Sequence, residues 1–292
     1  MTYDVLVIGG TGVDTTVYVP ELPLPYRDTY HVPPVVDRIG NTGSGVALGC
    51  TALGLRVKLL DFAGDDPAGR LIRDHLAKAG VAAEWAPCAA GTTRSVLLVA
   101  PDGRRLSLHD PRAEPGQRLP DDLYLPLLPR ARHVHVSIVD WARHLYAHFG
   151  DLFTSTDLHD WDGASDYHRD FAYGADLVFL SDTGLADRAA VMRDILVNGR
   201  AGVVACTSGA AGAYLLTSGD RTPRHFPAAD LPGSVADSNG AGDAFVSGFL
   251  YGLLNDEPLE RCMRFGAVAG AHAVTSEGTH EAPIDEATLL GR

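Results

Sequence analysis

The sequence predicts an α/β fold, a mainly parallel sheet of short buried strands covered by helices on both faces, with a small β element apart from it. Three observations predict this. Short apolar runs recur along the chain with helix-like stretches between them, the alternation that builds parallel sheets. The first run, residues 3–8, is ended by Gly9-Gly10, as a buried strand is. Two regions, residues 15–39 and 95–109, break the alternation and read as strands outside the main sheet.

In chain order, further buried strands are expected at residues 57–62, 134–139, 177–180 and 203–206. Helices are expected at 45–53, 68–78, 186–197, 241–254 and 260–274. Residues 15–39 are rich in Pro, Tyr, Val and Thr and lack a helical period. Residues 95–109 form a hairpin by their chemistry, two apolar runs flanking the turn Pro101-Asp102-Gly103. Pro-rich residues 111–129 read as a connector.

Composition narrows the function. The 292 residues carry 24 Lys+Arg against 37 Asp+Glu, a formal net charge of −13. So acidic a chain is a poor electrostatic match for nucleic acid or an anionic membrane, and neither is expected as a partner. Its 46% hydrophobic and 21% charged residues are those of a globular protein. The cysteines Cys50, Cys88, Cys206 and Cys262 are scattered, which argues against a disulfide framework or structural zinc. His133 and His135 fall on one face of a strand and read as core residues rather than metal ligands. The chain begins directly on a strand, and no apolar run approaches the roughly 18 residues that span a bilayer. A cytoplasmic protein is the expectation.

Two glycine-rich stretches carry the chemistry. The first, Gly40-Asn41-Thr42-Gly43-Ser44-Gly45, opens a small-residue helix and allows close backbone approach to a ligand. It lacks a strict G-x-G-x-x-G and an acidic residue at ribose-binding spacing, so a dinucleotide site is weakly supported. The second, Asp237-Ser238-Asn239-Gly240-Ala241-Gly242-Asp243, stands where the helix at 241–254 begins. Free N–H groups and the positive end of the helix dipole point at one spot there. Asp243 is a carboxylate in that first turn, the place for a base that takes a proton from a hydroxyl attacking a phosphoryl group.

The segment 237–243, DSNGAGD, resembles the D-T-x-G-A-G-D signature of the ribokinase-like (PfkB-type) carbohydrate and nucleoside kinases. The earlier GNTGSGVALGCTALG, followed by Gly64-Asp65-Asp66-Pro67-Ala68-Gly69, resembles the same family's N-terminal signature. The resemblance covers essentially the entire chain, 1–292. It implies one three-layer, doubly wound α/β domain with a mostly parallel central sheet. A small β lid, from about residues 15–39 and 95–109, would close over a sugar site and in many members also joins two subunits.

The same resemblance assigns roles. Asp243 is similar to the catalytic base, and the backbone of Gly240, Ala241 and Gly242 to the anion hole for the transferred phosphoryl group. Thr207, Gly209 and Gly212 resemble a T-x-G-x-x-G loop that cradles nucleotide phosphates, with Asn239, Gly270 and the loop 275–278 toward the nucleotide. Asp14 resembles the acidic residue that accepts hydrogen bonds from sugar hydroxyls. Gly40 and Asn41 align with a sugar-binding Gly-Gly pair, His159 with the Asn of D-x-N-x-R, and Arg94 could reach the acceptor. ATP and Mg²⁺ are implied, with a monovalent cation such as K⁺ at Asp237; a turn-forming role for Asp237 fits equally well.

Three departures stand out. Gly45 replaces the usual sugar-binding Asn, and the Arg of D-x-N-x-R is missing, which disfavours an anionic acceptor. The metal-organising N-x-x-E is broken, its Asn being Asp182 and its Glu Leu185, so Asp182 alone, through water, or Asp187 would serve Mg²⁺. The leading expectation is an ATP-dependent kinase of a small sugar or polyol. A nucleoside kinase, with Trp141 and Trp161 offering stacking surfaces, and a weakly catalytic sugar- or nucleotide-binding sensor are the alternatives.

Overall fold

A computed structural model describes residues 2–276 and 278–292. In chain order the elements are β1 (Tyr3–Ile8), β2 (Gly12–Tyr18), β3 (Val36–Gly40), α1 (Thr42–Ala52), β4 (Val57–Ala63), α2 (Pro67–Lys78) and β5 (Ala82–Pro87). There follow β6 (Arg94–Val99), β7 (Arg105–Asp110), α3 (Asp121–Tyr124), β8 (Ala131–Ser137), β9 (Thr154–Asp157), α4 (Asp166–Gly174) and β10 (Leu177–Ser181). The chain closes with α5 (Arg188–Asn198), β11 (Val203–Thr207), β12 (Ala213–Thr217), β13 (Arg224–Phe226), α6 (Ala241–Leu254), α7 (Leu259–Ala273) and α8 (Glu286–Leu290).

Nine strands form one sheet in the order β13-β12-β11-β10-β9-β8-β1-β4-β5. Every pairing from β11 to β5 is parallel, and β12 and β13 add an antiparallel edge. β1 shows why the runs are continuously apolar. Its Leu6 and Ile8 enter a core with Phe171, Met192 and Ile195 of α4 and α5, while Val5 and Val7 enter a second core with residues of α1, α2 and α6. A strand buried on both faces cannot alternate polar and apolar residues. From β1 the chain first winds to one side through β4 and β5. It then winds to the other through β8, β9, β10 and β11, so the reversal lies beside β1, the place where such sheets bind ligands.

A second sheet, β3-β2-β6-β7, stands apart. β6 and β7 are the expected hairpin, closed by Gly103, whose N–H donates to the Ala100 carbonyl at 3.0 Å. The expectation for residues 15–39 needs correction at its centre. Strand is confined to β2 and β3, and residues 19–35 form an irregular excursion between them. Pro20, Pro23, Pro25, Pro33 and Pro34 remove ladder donors along that stretch. The sheet's faces alternate: Asp14, Ser95 and His109 pair in register and share the face turned to the main domain.

The two sheets are tied at Asp66. Its carboxylate caps α2 by accepting from the Gly69 N–H at 2.7 Å, and it also accepts from the Thr92 N–H and hydroxyl, each at 2.8 Å. Desolvation raises the Asp66 carboxyl, but these hydrogen bonds outweigh it and hold the group below its usual range. A depressed pKa means a contribution present above the unfolded value and lost as pH falls through the folded one. Asp66→Ala is therefore expected to cost about 1–2 kcal/mol at neutral pH, read by denaturant unfolding, with the difference from wild type shrinking toward pH 3.

Candidate active site

The C-terminal ends of β9, β10 and β11 and the start of α6 meet at one edge of the sheet. Gly240 takes φ +76° as the N-cap of α6 and brings no capping side chain. A left-handed turn here suits glycine, and it leaves the first-turn amides without side-chain partners. The Ala241 N–H lies 3.4 Å from the Ser238 carbonyl, a long contact, and among the described residues nothing accepts from the Gly240 or Gly242 N–H.

Asp243 follows at 7% exposure. Burial pushes its carboxyl well above the usual carboxylate range, the negative charges of Asp157 and Asp14 add to this, and Arg105 opposes it. Asp157, at the end of β9, is itself 9% exposed and faces the first turn of α6, where a Cβ at Gly242 would lie 3.9 Å from its Oδ2. His280 stands on the other side, its Nε2 3.5 Å from Asp243 Oδ2. Burial pushes the His280 imidazole down to about 4, so it is neutral at physiological pH.

Asp14 projects from β2 toward this centre and is 7% exposed. Burial raises its carboxyl, while a hydrogen bond from Ser95 and the nearby His109 and Arg105 pull it back. Gly40 fits as the sequence suggests: any Cβ there would run into the Asp14 carboxylate. Asn41 takes φ +65° at the N-cap of α1, with its side-chain amide packed over Gly12. His159 takes φ +55° after β9; its N–H donates to Asp157 Oδ1 at 2.9 Å and its carbonyl accepts from the Ser181 N–H at 2.6 Å.

Arg94 is not brought into the site. Strand alternation puts it on the lid face opposite Ser95 and Asp14, where it donates to Thr15 at 3.2 Å and pairs with Asp37 at 3.5 Å. The lid side chains that act on Asp14 are instead Ser95 of β6 and Arg105 and His109 of β7. Nor do the tryptophans offer stacking surfaces: Trp161 is 1% exposed in the core, and Trp141 packs edge-on against Phe62 with centroids 5.1 Å apart.

At the loop expected to bind nucleotide, Thr207 ends β11, and a tight turn follows in which Gly209 and Gly212 take φ +51° and +94°. The Ser208 N–H donates to the Gly212 carbonyl at 2.8 Å, closing the loop. The Asp182 carboxylate is engaged within the fold. Its Oδ2 accepts from the Ser208 hydroxyl at 2.6 Å and from Arg188, whose guanidinium lies over the Tyr214 ring. Asp187 caps α5 through the Ala190 N–H at 3.0 Å. Asp237 Oδ1 accepts from the Asn239 N–H at 2.9 Å, an Asx turn, while Asn239 Oδ1 is buried without a partner. Gly270 lets α7 approach the Ala241 carbonyl. Of the loop 275–278, Glu277 lies outside the described residues.

Among the described residues no group of three or more His, Cys, Asp or Glu side chains could hold a metal ion, and no helix is long and apolar enough to cross a membrane. Mg²⁺ needs no protein cage when nucleotide phosphates supply its ligands.

A mostly parallel sheet with a separate lid, and a buried carboxylate beside free helix amides at the C-terminal ends of its strands, is the architecture of a sugar kinase. The chain belongs to the pfkB family of carbohydrate kinases, whose model matches residues 3–287. It is 50% identical over 290 residues to the acarbose 7(IV)-phosphotransferase of an Actinoplanes species, covering 98% of this chain and 97% of that protein. The ATP-dependent ribose-1-phosphate kinase of Halopiger xanaduensis is 29% identical over 85% of this chain and 84% of its own. Among solved structures, the microbiome-derived acarbose kinase Mak1 superimposes with a TM-score of 0.93 at 45% identity, over 100% of this chain and 99% of that one. A ribokinase of Arabidopsis thaliana complexed with ribose and ATP reaches a TM-score of 0.85 at 19% identity, over 100% and 98%, a likeness of fold. The protein is a sugar kinase, and family membership carries the use of ATP and Mg²⁺ with it.

Sequence reasoning missed Asp157, Arg105, His109 and His280. Asp157 sits inside the D-x-N-x-R segment and was legible there. The other three come from the exposed edge of the lid and a loop near the C-terminus, where no fixed spacing marks them.

Proposed function

We propose that this kinase phosphorylates acarbose, with Asp243 as general base. The observation that carries the reading is the buried Asp243 carboxyl, raised above its usual range beside the unpartnered amides of Gly240 and Gly242. Asp14 accepts hydrogen bonds from acceptor hydroxyls, backed by Ser95 and His109. One hydroxyl gives its proton to Asp243 as its oxygen attacks the γ-phosphorus of ATP; the bond to the bridging oxygen breaks and ADP leaves. Charge that develops on the transferred group falls on the amides of the first turn of α6, where aligned donors are worth about 3–4 kcal/mol each. The loop from Thr207 to Gly212 receives the nucleotide. Mg²⁺ bound with the nucleotide would neutralise phosphate charge, and Asp182, held by Arg188, would face it through water.

Two features favour acarbose over a simple sugar. The full-length 50% identity is to an acarbose phosphotransferase. Gly45 also stands where relatives carry a sugar-binding Asn, so the site is built differently from a ribose site. Burial of both tryptophans removes the stacking surfaces that a nucleoside reading needs. A homodimer through the lid, a monovalent cation at the second oxygen of Asp237 and a cytoplasmic location complete the proposal.

ADP release across a panel of acarbose, ribose, fructose, adenosine and cytidine tests it. Acarbose is expected to exceed the others by about a hundredfold or more in kcat/KM, with the phosphate at the 7(IV) position by NMR of the product. Turnover confined to a nucleoside or to ribose would overturn the acceptor assignment. Binding of ATP with no turnover of any acceptor would favour a sensor.

A further inference from the structure

Asp243 sits among like charges, Asp157 from β9 and Asp14 from β2, with Arg105 of β7 the opposing cation. A carboxylate in that setting accepts only, so it needs a donor. Among the described residues, His280 Nε2 is the side-chain nitrogen within ion-pair distance of it, at 3.5 Å from Oδ2, and that nitrogen is buried with no hydrogen-bond partner. His280 is held there by its surroundings. Its backbone takes φ +61°, and its ring packs against Gly240 and Gly45. A Cβ at Gly45 would lie 2.7 Å from His280 Nδ1 and 2.7 Å from the Asp243 Cβ. The imidazole thus fills the space that any side chain at position 45 would claim, and the unusual glycine and the histidine are two halves of one arrangement.

We propose that His280 is a positioning residue for the base: as the neutral Nε2–H tautomer it donates to Asp243 Oδ2, leaving Oδ1 to take the acceptor proton. The proposal rests on the reading of Asp243 as base. At 3.5 Å the two atoms stop short of a hydrogen bond, and catalytic contacts of this kind often tighten only as substrate closes the site. The donated hydrogen bond favours the ionised carboxylate and offsets part of the repulsion from Asp157 and Asp14. The Asn41 backbone offers the His280 ring a second hydrogen bond, which favours the protonated form and competes for the ring proton, while His75 disfavours that form.

The test is the acid limb of the kcat–pH profile. His280→Phe keeps a ring and removes the donor; the limb is expected to move up by about one pH unit, with kcat at pH 7 falling and recovering at higher pH. His280→Gln restores a donor and is expected to return the limb toward wild type, with ATP KM unchanged in both. A folded His280→Phe enzyme with an unmoved limb overturns the proposal. Should neither variant fold, ¹⁵N-histidine NMR of the wild-type enzyme decides: an Nε2–H tautomer for His280 supports it, and Nδ1–H overturns it. Asp243→Asn separates the two claims, because full activity in that variant would sink the base itself, whatever His280 does.

Discussion

Asp243→Asn is expected to lower kcat by about 10²- to 10⁴-fold while leaving ATP and acceptor binding nearly unchanged. Asparagine keeps the shape of the side chain but exchanges one acceptor oxygen for an amide donor, and it cannot take up a proton. The interaction lost is one made mainly in the transition state, which is why kcat falls rather than KM rising. The same variant is expected to be more stable than wild type at neutral pH. Burial raises the Asp243 carboxyl above its unfolded value. Its favourable contribution is therefore complete below the unfolded pKa and lost as pH rises toward the folded one. Once ionised, the wild-type side chain is a buried charge that the amide does not have. Thermal unfolding at pH 5 and pH 8 checks this: the advantage of Asp243→Asn over wild type is expected to grow with pH. An active site that costs stability in this way is the ordinary trade between function and folding.

Asp14→Ala is expected to weaken acceptor recognition by about 10- to 150-fold in kcat/KM for each hydrogen bond lost, since bonds to charged groups are worth about 1.5–3 kcal/mol. The effect belongs in acceptor KM and kcat/KM, with ATP KM unchanged, because Asp14 lies on the lid and the nucleotide loop follows β11. Gly40→Ala is expected to act in the same direction, since its Cβ would displace the Asp14 carboxylate. If the alanine at 14 leaves acceptor KM intact, the sugar does not lie under the lid face that carries Ser95 and His109.

The parts of the fold legible in the sequence are those whose burial is written as runs. β1, β4, β10 and β11 are mostly apolar because both faces are covered, with Asp4, Lys58 and Asp61 the charged exceptions, and the helices between them appear as periodic or small-residue stretches. β9 was not legible. Its residues Thr154, Ser155, Thr156 and Asp157 are polar yet buried at the centre of the sheet. Each polar group finds a partner in the fold: Thr154 donates its N–H and hydroxyl to Asp176, Thr156 bonds the Val136 carbonyl, and Ser155 meets both His133 and His135. A polar strand satisfied from its neighbours leaves no hydrophobic signal. This also explains how two buried histidines of β8 are accommodated as core residues, as their alternation suggests.

The candidate site divides in the same way. Asp243 with its glycines, and Asp14 with Gly40, are legible because backbone chemistry fixes glycine and acid at set spacings. For Arg94 one residue of strand alternation decides: Ser95, its neighbour, shares the face of Asp14 and Arg94 lies on the other. Asp182 reads as a free acid in one dimension, and only the fold brings Arg188 and Ser208 to it. His280 carries no motif. Its meaning appears once α1 and α6 place Gly45 and Asp243 on either side of its ring.

The central claim, that a buried carboxyl at position 243 accepts the acceptor's proton, is tested most directly by the pH dependence of kcat with ATP and acarbose saturating. The account predicts activity that falls on the acid side with a midpoint clearly above the ordinary carboxylate value of about 4, and the loss of that limb in the residual activity of Asp243→Asn. A wild-type rate that stays level down to pH 4.5, or a limb that survives unchanged in Asp243→Asn, would contradict it.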